Sequence, residues 1–112
     1  MYTYNATVLR VVDGDTVELM FDLGFHVKIA HVCRLHGINA PEKNTPEGKA
    51  SKAFLEGLLP TGGVILAETV KDKQEKFGRI LVQIALGGKT VTAQLVEAGH
   101  AKLWDGKGAR PV

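Results

Sequence analysis

The sequence predicts one α+β domain in which strands outnumber helices. Three observations carry that expectation. Stretches of strand character are separated by turn signals at Asp13-Gly14, Leu23-Gly24, Thr61-Gly62-Gly63 and Gly87-Gly88. Helix-end signals stand at Thr45-Pro46 and at Gly99. The 112 residues, 45% hydrophobic and 23% charged, fit a single globular domain over residues 1–112 and leave no room for a second.

Residues 4–12 hold strand-forming Thr and Val, and Asp13-Gly14 turns the chain into a second strand over residues 16–21. After Leu23-Gly24, residues 25–35 read as a third strand. Val27, Ile29 and His31 fall on one face, with Lys28, Ala30 and Val32 on the other. A polar loop, residues 36–47, leads to a helix capped by Thr45 and opened by Pro46, whose missing amide hydrogen and fixed φ suit the first helical position. This helix is expected to run to about Leu59, stop at Pro60 and bury Ala50, Ala53, Phe54 and Leu58. Residues 64–70 and 79–86 form two further strands around a charged loop, residues 71–78. Residues 91–98 form a short helix that Gly99 ends in a left-handed cap.

Composition excludes several classes of protein. No apolar run approaches the roughly 20 residues that cross a bilayer. Met1-Tyr2-Thr3-Tyr4 lacks a basic segment followed by an apolar stretch, so a cytoplasmic location is expected, with secretion of a processed form left open. Cys33 is the single cysteine, which rules out an internal disulfide and points to a buried, inert thiol. His26, His31, His36 and His100 have no metal-binding spacing, and His26 and His31 are expected on opposite strand faces. The net charge of +2 is small but uneven, because Lys71, Lys73, Lys76 and Arg79 cluster together. Such a cluster suits a phosphate backbone, and a solvated surface loop is the alternative.

The most informative run is Arg34-Leu35-His36-Gly37-Ile38-Asn39-Ala40-Pro41-Glu42, read with Asp13-Gly14-Asp15-Thr16 and Lys76-Phe77-Gly78-Arg79. An enzyme that cleaves a phosphodiester needs guanidinium forks on its oxygens, a base for the water, and usually a cation on hard oxygen ligands. Arg34 and Arg79 are candidate forks, with structural ion pairing as the alternative. Glu42 is the candidate general base; an isolated Pro-Glu reads rather as a surface acid near a helix start, and the company of Arg34 and Arg79 reverses that judgement. Asp15, with Asp13 nearby, is the candidate metal ligand, against an ordinary Asx turn.

These motifs, together with Leu95-Val96-Glu97-Ala98-Gly99-His100-Ala101, resemble the staphylococcal nuclease (thermonuclease) family in order and spacing over roughly residues 6–104. The resemblance implies a five-stranded OB-type barrel with two or three helices and a nuclease acting on DNA, RNA or both, with no obligate protein partner evident. It implies Ca²⁺ as cofactor, with Asp15 as a direct ligand and the backbone carbonyl of Ala40 as another. Asn39 stands where the staphylococcal enzyme has a second metal-binding aspartate, so metal binding is expected to be weaker. Glu42 would activate water, Arg34 and Arg79 would stabilise the transition state, and the 5′ P–O bond would break to leave a 3′-phosphate. Lys76, Phe77 and Trp104 are the implied substrate contacts. Phe77 takes the place of a usual tyrosine and so lacks a hydroxyl for phosphate, and Trp104 has core or edge packing as its alternative. After Trp104 the chain is too short and glycine-rich for the family's long C-terminal helix, though Lys107 and Arg110 are further candidate phosphate contacts. A rival reading is an OB-type module that binds nucleic acid or protein without catalysis, as in the nuclease-like repeats of Tudor-containing proteins.

Overall fold

The computed structural model describes residues 2–74 and 78–104, with residues 71–74 described in backbone alone. Lys76, Phe77, Lys107, Arg110 and the side chains of Lys71 and Lys73 lie outside the described residues. The first three strands are β1 (Thr3–Asp13), β2 (Thr16–Asp22) and β3 (Lys28–Leu35), antiparallel in chain order. A two-residue strand, β4 (Ile38–Asn39), precedes helix α1 (Pro46–Leu58). Then come β5 (Val64–Gln74), β6 (Ile80–Leu86), β7 (Lys89–Thr90), helix α2 (Val91–Glu97) and β8 (Lys102–Leu103).

β5 returns antiparallel to β1, and β6 pairs antiparallel with β5. β6 also pairs in parallel with the end of β3, matching Cys33 with Ile80, Arg34 with Leu81 and Leu35 with Val82. That last pairing closes a mixed barrel of five strands, the expected α+β architecture of OB type. Alternate residues point inward, so Val8, Val17, Leu19, Cys33, Leu35, Val82 and Ile84 fill the interior. Leu55 and Leu59 from the α1 side and Val91 and Leu95 from α2 complete the core, each contributing about 1.5–3 kcal/mol by burial.

Both helices end as their sequences indicate. The Thr45 hydroxyl accepts from the Gly48 amide at 3.0 Å, with Pro46 at the first helical position. At the far end of α2, the Gly99 amide donates to Val96 O and the His100 amide to Leu95 O, a Schellman arrangement made possible by φ +78° at Gly99. Burial leaves Cys33 fully inaccessible and pushes its thiol, with help from Glu18, up to about 12, an inert cysteine as expected.

Several expectations need correction. β3 starts at Lys28, because Gly24, Phe25 and His26 all take positive φ in the preceding turn and Phe25 is 98% exposed. His26 is therefore a turn residue and occupies neither strand face. The first part of β3 is exposed on both faces, since β6 reaches only Cys33, Arg34 and Leu35. On α1, Ala50 and Ala53 face solvent while Gly48, Ser51 and Leu55 are buried; Phe54 and Leu58 pack partly against the core. The helix is rotated because its close approach to the loops below admits only small residues there. β5 continues through Gln74, which pairs with Ile80 after an irregularity, so the charged segment begins as strand. The pairing of β4 with β8 had no counterpart in the sequence pattern. Among the described residues, no helix is long and apolar enough to cross a membrane.

Candidate active site

The turn from β1 to β2 carries the acidic pair. Asp13 Oδ1 accepts the Asp15 amide at 3.2 Å, so an Asx turn and a candidate metal site coexist in the same residues. Gly14 is required by space: a β-carbon there would run into Ser51 Oγ of α1 and the Ala40 methyl. The turn is thus pressed between α1 and the loop after β4.

Asp15 is 9% exposed, and both of its carboxylate oxygens are engaged. Oδ1 accepts from Thr16 Oγ1 at 3.0 Å and Oδ2 from the Ala40 amide at 3.1 Å, with Arg34 Nη2 at 3.8 Å. Burial pushes this carboxyl up, but the hydrogen bond with Asp13, the Ala40 amide, Arg34 and Thr16 together hold it below the usual carboxylate range. Asp13 goes the other way. Burial first, then its hydrogen bond with Asp15 and the charge of Asp15, raise it to about 6. Two carboxylates on one turn at the edge of the cavity are a hard-oxygen donor set of the kind that fits a divalent cation. Among the described residues, no three His, Cys, Asp or Glu side chains gather as a metal cluster. A cation held here would therefore need the amide oxygen of Asn39, the carbonyl of Ala40 or water beside the acids.

Arg34 lies opposite Thr16 in the β2–β3 ladder and is 7% exposed. Its Nη2 donates to Ile38 O at 2.7 Å, and its guanidinium lies 5.1 Å from the centre of the Trp104 ring. The β4–β8 pairing and the bond from the Trp104 amide to Gly37 O put the indole there. Trp104 is thus half-buried against Arg34, which joins the packing alternative to a position beside the candidate site.

Arg79 arrives from a distant part of the chain through the parallel β3–β6 closure. Its Nη1 donates to Thr16 Oγ1 at 3.3 Å, and that hydroxyl donates in turn to Asp15. Glu42 is exposed at the loop before α1, its backbone carbonyl held by both the amide and the hydroxyl of Thr45.

One cavity of about 150 Å³ gathers these groups. Asp15, Arg34, Asn39, Ala40, Glu42 and Arg79 all line it, joined by Asp13, Pro41 and Lys43. Lys43 was not anticipated, since a lysine next to a loop glutamate reads as surface. Of the other three expected contacts, Trp104 packs behind Arg34, and Lys76 and Phe77 lie outside the described residues. Two guanidinium groups, an exposed carboxylate and an acidic pair around one small polar cavity suit a tetrahedral anion with a water beside it.

Comparison with known proteins bears on the same cavity. The family described as staphylococcal nuclease homologue matches residues 32–110. The chain belongs to this family. Among the relatives the chain matches, an uncharacterized endonuclease of Escherichia coli is 36% identical over 106 residues, covering 94% of this chain and 64% of its own length. A thermonuclease of Staphylococcus intermedius is 34% identical, covering 85% of this chain and 56% of its own. Endonuclease YhcR of Bacillus subtilis is 31% identical over 88% of this chain but 9% of its own length. The chain thus spans less than two-thirds of the length of each of these relatives. The matched span includes Arg34, Asn39, Glu42 and Arg79.

Proposed function

We propose that this domain hydrolyses phosphodiester bonds in DNA, RNA or both, and that it does so with Ca²⁺. The observation that carries the reading is the convergence of Arg34, Glu42, Arg79 and the Asp13–Asp15 pair on one cavity, and relatives named endonuclease and thermonuclease support it. In this reading Glu42 takes the proton of a water whose oxygen attacks phosphorus. Arg79 and Arg34 meet the negative charge that builds on the phosphoryl oxygens, where planar forks outperform a lysine. Arg34 is held for the task by Ile38 O and Trp104, so it need not reorganise as charge develops. A calcium ion held by Asp15, with Asn39 and Ala40, would polarise a phosphoryl oxygen. As in the family, the 5′ P–O bond breaks, a 3′-phosphate remains, and the departing oxygen takes a proton from solvent to become a hydroxyl.

Asn39 favours a second reading, a module that binds nucleic acid or protein without cutting it, because a neutral amide weakens a calcium site. The two readings separate on one residue. Asn39→Asp adds a charge beside Asp15 and should tighten Ca²⁺ binding measured by calorimetry, lowering the Ca²⁺ concentration that gives half-maximal DNA digestion. Asp15→Asn should raise that midpoint or abolish digestion. If Asn39→Asp moves neither binding nor midpoint while Asp15→Asn moves both, Asn39 is not a ligand; if neither substitution acts, the metal site is misplaced.

A further inference from the structure

We propose that Gly48 is a positioning residue for Glu42, with Thr45 as its accomplice, so that the first turn of α1 sets where the general base stands. The inference rests on the reading of Glu42 as base. Gly48 is the third residue of α1, and glycine is a poorer helix former than alanine. A helix capped by threonine commonly carries Glu or Gln at this place, closing a capping box. Neither propensity nor capping accounts for a glycine. Nor does backbone freedom, because the φ of Gly48 lies outside the left-handed region.

Space accounts for it. A β-carbon at Gly48 would overlap the Glu42 carbonyl oxygen, crowd the Glu42 carbonyl carbon and press on Lys43 Cα. All three are backbone atoms, which cannot swing aside as a side chain can. The same Glu42 oxygen accepts from Thr45 Oγ1 at 2.7 Å and from the Thr45 amide at 3.0 Å, while Thr45 Oγ1 accepts from the Gly48 amide at 3.0 Å. Helix start, loop carbonyl and glycine are therefore interlocked.

The helix that holds Glu42 also holds the acidic turn. One turn further along α1, Ser51 abuts Gly14 and donates to His100 O at 2.8 Å, and Leu55 lies in the barrel core. Glu42 and Asp15, 27 positions apart in sequence by their numbers, are thus referenced to one rigid face of α1. A methyl group at position 48 would move Glu42 relative to Asp15 while leaving its carboxylate intact.

The test is steady-state DNA hydrolysis by folded variants, at a temperature well below each melting point. Gly48→Ala should lower kcat by about 10- to 100-fold, the scale of a misplacement near 1 Å, with KM nearly unchanged. Added to Glu42→Gln, it should lower the residual rate by less than about two-fold, since a residue acting through Glu42 has nothing left to position. Thr45→Ala should lower kcat in the same sense, and Thr45→Ser, which keeps the hydroxyl, should restore it. A folded Gly48→Ala protein with parental kcat overturns the inference, as does an equal loss in the Glu42→Gln background. Should Gly48→Ala not fold, the threonine pair decides, and a parental kcat for Thr45→Ala counts against it. Parental turnover by Glu42→Gln itself would sink the reading of Glu42, and the inference with it.

Discussion

Glu42→Gln and Arg79→Ala should each lower nuclease turnover at least about 100-fold, the scale of losing a general base or a transition-state donor, while both proteins remain folded. Glu42 is exposed, and its backbone carbonyl, which a change of side chain leaves in place, ties the loop to Thr45. Gln keeps the shape but gives up the negative charge and the ability to take a proton. Arg79 is half-buried at the entrance to β6, outside the apolar core, and its bond to Thr16 is long at 3.3 Å, so its removal should leave the barrel folded. Melting curves beside initial rates on plasmid DNA check both parts. Parental rates from folded Glu42→Gln and Arg79→Ala proteins would place the chemistry elsewhere.

Arg34 should behave differently, although it lines the same cavity. Arg34→Ala should destabilise the fold by about 3 kcal/mol, because removing one partner of a buried pair leaves the other uncompensated. The stranded groups are identifiable. Asp15 loses the guanidinium 3.8 Å from its Oδ2, and Ile38 O loses a 2.7 Å donor. Trp104, which brings β8 against β4, loses the guanidinium under its ring. Arg34→Lys should recover part of the stability through its charge but little of the turnover, since an ammonium cannot reproduce the fork. Denaturant titration without calcium separates the effects. An Arg34→Ala protein as stable as the parent would show that the buried guanidinium is held by groups other than these.

The fold and site were legible in the sequence wherever the signal was local. Alternation and glycine turns marked the five barrel strands, Thr45-Pro46 marked the start of α1, and Gly99 marked the end of α2. What stayed hidden depended on residues far apart in the chain. The parallel meeting of β3 with β6, which delivers Arg79 to Arg34, joins segments that no sequence period connects. The β4–β8 pairing is only two residues long on each side, too short to carry alternation. The face of α1 was misjudged because Gly48 and Ser51 are not apolar; they are buried for their small size beneath the loops that carry Glu42 and Asp15. The turn at Phe25 and His26 escaped notice because neither residue signals the left-handed conformation that both adopt. Arg34 read as a clamp with structural ion pairing as the alternative, and its burial beside Asp15 joins the two, since arginine is seldom fully buried unless paired. Its pairing partners, Asp15, Ile38 O and Trp104, come together only when the barrel closes.

The central claim is that this cavity cuts phosphodiester bonds with help from a hard cation. Its most direct test is digestion of supercoiled plasmid and of a long RNA by the purified protein, with Ca²⁺ or with excess chelator, beside Glu42→Gln prepared in the same way. The account predicts cleavage of at least one substrate with Ca²⁺, loss of cleavage with chelator, and recovery when Ca²⁺ is restored, with Glu42→Gln inactive by comparison. Cleavage that persists undiminished in chelator, or that Glu42→Gln retains in full, would contradict it; binding of either nucleic acid without any cleavage would favour the non-catalytic module.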